Sequence, residues 1–169
     1  MIPARARRLR APLLLALALL LAVETVGGLT LFFARVAFGR SPGEALHVLG
    51  GALLTGVYAV YQAAHWRRVT PLRARLDYAL GLLAAGSMAL TLATGWLLAL
   101  PWWRTRIVAH GAGPVPYAAT ESAVHNIGGM LVLTFALSHL GAVLFRDRAA
   151  RGRTRADDEA PAGTPAGAE

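Results

Sequence analysis

Four apolar runs, at about 13–33, 42–66, 74–100 and 119–145, leave this chain few folds to choose from. Each is long enough to carry an α-helix across a hydrocarbon core of roughly 30 Å at about 1.5 Å per residue. The composition agrees, since 56% hydrophobic and 15% charged residues are too apolar a mixture for a soluble domain of this size. The sequence therefore predicts an all-α protein, an integral membrane four-helix bundle at 13–146. A basic cytoplasmic arm at 1–12 precedes it. A disordered cytoplasmic tail at 147–169 follows, becoming a mixture of Ala, Gly, Pro, Thr and acidic residues without apolar periodicity.

The formal charge of +8 is distributed as membrane topology demands, not as a nucleic-acid footprint. All 17 basic residues are arginine: 4 before the first run, 4 between the second and third, 5 after the fourth, and 2 in each of the other two connections. That asymmetry predicts both termini on the cytoplasmic side of a bacterial-type cytoplasmic (inner) membrane, with the protein multi-pass and in contact with lipid rather than nucleic acid. The basic start followed by Leu13 to Val23 has the outline of a signal peptide, but no small-x-small cleavage site follows, so the first run is read as a retained helix.

Glu24 interrupts the first run at mid-membrane depth, where a carboxyl needs a partner. Two roles suit it: a proton or quinone-ring contact, or a hydrogen bond to a hydroxyl on a neighbouring helix. Gly27 and Gly28 beside it allow close approach of a helix or a cofactor. Ser41-Pro42-Gly43-Glu44 has the spacing of a capping box, starting the second helix near Pro42. The third run carries Gly81, Gly86, Gly95, Thr91 and Thr94, suited to packing against a helix or a planar ligand. Pro101-Trp102-Trp103 is expected to stop it and anchor it at the outer interface. The outer connection after it contains His110, which is either polar surface or, with Glu24, a candidate for a quinone or proton site.

A motif repeats on the second and fourth runs. His47-x-x-Gly50-Gly51 returns as His125-x-x-Gly128-Gly129, and each copy is followed by a second histidine, His65 and His139. Both runs travel from the outer to the inner face. The 18 positions from His47 to His65 are five full turns, so these two share a helix face about 27 Å apart. The 14 positions from His125 to His139 leave those two about 40° apart in angle and about 21 Å apart in height. Two levels of facing imidazoles result, His47 with His125 and His65 with His139, with a misfit of about 6 Å between the two spacings for tilt or kinking to absorb. Facing imidazoles suit axial ligation of an iron whose equatorial positions a porphyrin fills, and Gly50, Gly51, Gly128 and Gly129 free a helix face of Cβ atoms for a macrocycle edge.

With no cysteine, thiolate metal sites and covalent haem attachment are excluded. A non-haem zinc or iron site built from His47, His125, Glu44 and Glu121 is an alternative. The two glutamates otherwise serve as N-terminal charges on their helices. Haem propionates would find arginines at both levels, Arg35, Arg40, Arg104 and Arg106 outside and Arg67, Arg68 and Arg146 inside.

The repeated His-x-x-Gly-Gly, with His65-Trp66 and His139, resembles small membrane-bound di-haem b-type cytochromes, of the cytochrome b561 and respiratory dehydrogenase gamma-subunit kind. The likeness spans about residues 13–146; the first and third helices lack the axial histidine that some such families place there. The resemblance implies two b haems with bis-histidine ligation and electron transfer between a peripheral redox subunit, on the outer face, and membrane quinone. Quinone oxidoreductase activity would then belong to a complex. Two other readings of the residues stay open: a haem-free membrane anchor or small transporter subunit, and a single-haem cytochrome using only the outer pair.

Overall fold

The computed structural model describes residues 10–67 and 76–159. The basic arm up to residue 9, Arg68 and the end of the tail lie outside them. Four helices account for almost everything described: α1 (Arg10–Phe38), α2 (Glu44–Trp66), α3 (Leu76–Trp103) and α4 (Ala119–Glu159). Each contains a stretch long and apolar enough to cross a membrane. The helices follow from the solvent as much as from Ala and Leu propensity, because hydrocarbon offers no hydrogen-bond partner and the backbone must pair internally. Hydroxyls obey the same rule. Thr30, Thr55, Thr91, Thr94, Thr134 and Ser138 each donate to the carbonyl four residues back on their own helix.

Two antiparallel hairpins make up the bundle. The α3–α4 pair packs most extensively and α1–α2 next, whereas α2 touches α3 and α1 touches α4 only lightly. No Cα of α2 comes within 8 Å of one on α4. The interior is accordingly thin, with Leu17, Leu54, Met88, Trp102 and Val132 buried beside Glu24 and Thr94, while leucines and valines on the outer faces are open to lipid.

The hairpins share a contact pattern. In the first, Gly28 faces the His47 ring and Glu24 faces Gly50; in the second, Gly95 faces the His125 ring and Thr91 faces Gly128. A Cβ on Gly28 would sit 3.2 Å from His47 Cε1, and one on Gly95 would sit 3.1 Å from His125 Cε1. Absent side chains on α1 and α3 thus seat the histidines of α2 and α4. Without hydrophobic drive between helices in lipid, such close backbone packing is what holds a hairpin together.

Three local expectations are corrected. Ser41 does not cap α2: the helix starts at Glu44 behind Gly43, which takes a left-handed φ of 75° and gives no side-chain cap. The Ser41 hydroxyl instead accepts a hydrogen bond from Arg35 at 3.0 Å. Pro101 does not stop α3, which runs through it to Trp103 and on into a π-helical turn at Arg104–Val108, with Trp102 buried. Proline removes one donor and distorts a helix without having to end it. Finally, α4 continues to Glu159, so the part of the tail up to that residue is helical where an unstructured chain was expected.

Candidate functional site

Between the hairpins lies a cavity of about 780 Å³, within the range of roughly 300–1,000 Å³ typical of ligand and cofactor sites. Its lining is mostly apolar, and each of the four helices contributes polar side chains to it, among them Glu24 from α1, His47 from α2, Thr91 from α3 and His125 from α4. The rings of His47 and His125 reach toward each other across the space separating α2 from α4, with centroids 6.1 Å apart and planes at 76°. Two imidazoles sharing one metal through Nε2, at about 2 Å per bond, have centroids about 6 Å apart.

The other ring nitrogen of each is occupied by the first helix of its hairpin. His125 Nδ1 lies 2.9 Å from the Thr91 carbonyl and 3.3 Å from the Thr94 hydroxyl. The hydroxyl is itself committed to Leu90, so Nδ1 carries the proton and donates to the Thr91 carbonyl. His47 Nδ1 lies 2.8 Å from Glu24 Oε2. That pair is not lined up as a hydrogen bond, and neither atom has another hydrogen-bond partner among the described residues. For both rings Nε2 makes no hydrogen bond among the described residues and remains the nitrogen for a ligand. Outer contacts on Nδ1 that set tautomer and orientation are the usual support of a metal-binding histidine.

Of the glycines in the repeated motif, two serve neighbours and two border the cavity. A Cβ on Gly50 would overlap the Glu24 carboxylate, and one on Gly128 would meet Thr91 Oγ1 at 2.6 Å. Gly51 and Gly129 line the cavity, and among the described residues nothing lies within 4 Å of a Cβ added at Gly129. Glu24 meets an imidazole of the neighbouring helix, not the hydroxyl that was one of its two expected contacts. The signal was present in the short α1–α2 connection, which places residue 24 opposite residue 50.

At the opposite end of the bundle, His139 Nδ1 lies 2.7 Å from the Asp77 carbonyl, and its ring is seated on Gly81 just as that of His125 is on Gly95. Arg146 pairs with the Asp77 carboxylate. His65 stacks on Tyr61 of its own helix at 5.5 Å with a 17° angle between planes. Neither His65 nor His139 lines the cavity around the outer pair. His110 sits in the α3–α4 connection with a φ of 53° and likewise does not line it.

A polar cluster covers the mouth of the cavity beside the α1–α2 and α3–α4 connections. Tyr117 donates to Glu44 Oε1 at 2.9 Å, Arg35 and Arg106 approach the same carboxylate at 3.5 and 3.6 Å, and the Arg35 guanidinium lies 4.8 Å from the Tyr117 ring centroid. Arg106 also donates to the carbonyls of Gly111 and Gly113, both at 2.7 Å, and so folds the connection back over the helices. Glu44 is thereby withdrawn from the mixed His/Glu metal site. Among the described residues no three His, Asp or Glu side chains gather closely enough to hold an ion by themselves. Of the outer arginines, Arg35 alone borders the cavity, while Arg40, Arg104 and Arg106 do not.

Burial, then the Glu44 hydrogen bond, pushes the Tyr117 phenol well above its ordinary value of about 10. A raised phenol pKa means the Tyr117–Glu44 link is at full strength below pH ~10 and is lost only as pH climbs through the higher folded value. An alkaline absorbance titration of wild type minus Tyr117→Phe should show this residue ionising later than a free phenol. A difference midpoint near 10 would refute it.

Fold and site define a small polytopic membrane helix bundle in which two histidines from non-adjacent helices enter a shared interior cavity. Comparison of the chain with protein-family models, curated proteins and solved structures finds no match.

Proposed function

We propose that the chain is a transmembrane electron-transfer subunit, a b-type cytochrome holding haem between His47 and His125. The observation that carries this reading is the outer pair itself: two rings from helices whose backbones stay apart, with an oxygen of the neighbouring helix within 3 Å of Nδ1 of each and Nε2 left for a metal. The donor set, the apolar cavity and the Cβ-free seats of both rings fit such a group. Bound there, haem would supply one-electron chemistry, and the protein would supply axial nitrogens, orientation and a water-poor setting. Arg35, at the mouth, is placed to meet a propionate.

His139, with its Nδ1 on a backbone carbonyl, supports a second haem near the inner face, for which His65 is the proposed partner on α2. Electrons would pass between a peripheral redox subunit, docked outside, and membrane quinone, which takes up two electrons and two protons per quinol formed. Both termini would face the cytoplasm of a bacterial-type inner membrane. The rival is a haem-free anchor or transporter subunit, favoured by the fact that 6.1 Å and 76° also describe an ordinary edge-to-face ring contact.

The absorption spectrum of the purified protein decides between them. Expected are a sharp Soret band and a narrow reduced α band, with about half of the haem lost in His139→Ala if two sites exist. Full haem retention in that variant would leave a single-haem cytochrome. A colourless preparation after expression with ample haem would overturn the proposal.

A further inference from the structure

The two hairpins repeat one pattern, and they differ at a single chemically decisive place. Four residues before the seating glycine, α3 carries Thr91, whose backbone carbonyl accepts from His125 Nδ1, whereas α1 carries Glu24, whose side chain meets His47 Nδ1. A hydroxyl at position 24 would bond to its own helix, as Thr91 does to Ser87. A carboxylate cannot satisfy itself that way, and burying one among apolar helices is costly unless it meets a polar partner. Glu24 is 8% exposed, its Oε1 occupies the space Gly50 leaves, and its Oε2 lies 2.8 Å from His47 Nδ1. Among the described residues, Glu24 Oε2 and His47 Nδ1 have no hydrogen-bond partner and face each other.

We infer that Glu24 is a positioning residue that keeps the His47 ring turned with Nε2 toward the cavity and biases the metal bound there toward its oxidised state. The inference rests on the haem reading above. A carboxylate facing Nδ1–H makes the imidazole a stronger donor at Nε2, which favours the higher charge on iron. His125, backed among the described residues by a neutral carbonyl and a hydroxyl, has no such bias, so the two rings would be unequal donors to a metal held between them.

Glu24→Gln preserves shape and an acceptor oxygen and removes the charge. Gly50→Ala leaves Glu24 intact and forces its carboxylate out of its seat. Redox titration of the purified protein, followed in the α band, should show at least a tenfold shift in the ferric-to-ferrous ratio toward ferrous at fixed ambient potential in both variants. That shift is 59 mV for one electron. Any inner haem serves as an internal reference and should not move. Thr94→Val, which removes the hydroxyl near His125, should shift the ratio far less.

Glu24→Leu should in addition weaken haem retention by about 10–100-fold, the cost typical of losing an outer partner of a metal ligand. Should Glu24→Gln lose haem altogether, Gly50→Ala carries the test. Retained haem with an unmoved ratio in whichever variant holds it overturns the inference while leaving the cytochrome reading intact. Wild-type protein without haem overturns both.

Discussion

His125→Ala should remove the outer haem while leaving the bundle folded. The substitution deletes an imidazole whose supports survive without it: Thr94 still donates to Leu90, and the Thr91 carbonyl remains an acceptor within α3. Alanine is the best helix former, so α4 keeps its backbone. On the cytochrome reading, an iron held there would lose one of its two protein ligands. Haem per protein should fall by half in a two-haem chain and to near zero in a one-haem chain, with circular dichroism unchanged. Free imidazole, small enough for the space left beside Gly95, should restore part of the spectrum. His47→Ala should lose the same haem but also cost stability. It takes away the imidazole that faces the buried Glu24 carboxylate at 2.8 Å and leaves that group among apolar helices. Adding Glu24→Leu to His47→Ala should recover that stability without recovering haem. His110→Ala should match wild type in every respect. Haem content unaffected by either His47→Ala or His125→Ala would place the cofactor, if any, elsewhere.

Much of this arrangement is legible in the chain because membrane physics leaves few options. The four spans follow from length and hydropathy, and the outer histidine pair follows from a repeated motif on two helices running the same way. Gly28 and Gly95 are conspicuous as small residues. What they accommodate is less so, because it depends on the register of each hairpin. Glu24 illustrates the point: its depth is evident from the sequence, but its partner depends on the turn at 39–43, where Gly39 and Gly43 both take positive φ and α2 begins at Glu44. Pro101 misleads for a different reason. Burial of Trp102 and continued contact of α3 with its neighbours offset a single lost backbone hydrogen bond, so the helix persists where local propensity ends it. At the inner level the unequal spacing is the difficulty, because the position on α2 level with His139 is Tyr61, one turn before His65, and those two rings stack on each other.

Adjacent glycines of one motif should separate stability from cofactor binding. At Gly128 an added Cβ would lie 2.6 Å from Thr91 Oγ1 and 3.6 Å from Thr91 Cα, so the obstacle behind the hydroxyl is backbone. Alanine there would require Thr91 to give up its hydrogen bond to Ser87 or α4 to move by a few tenths of an ångström. The branched side chain of Gly128→Leu has no such escape, and α3 and α4 must part along the tightest interface in the bundle. Overpacking of this kind costs about 1–3 kcal/mol. It also shifts the Thr91 carbonyl that holds His125 Nδ1, so haem should be lost together with stability. Gly129 meets nothing within 4 Å and borders the cavity. Gly129→Leu should therefore keep the melting temperature of the haem-free protein, or raise it through better helix propensity, and exclude haem by filling the space where a macrocycle would lie. Thermal unfolding in detergent, run on haem-depleted samples alongside haem quantitation, reads both effects. Equal destabilisation by the two leucines would mean that residue 129 packs against protein, and undiminished haem in Gly129→Leu would mean that the cavity is not where the cofactor sits.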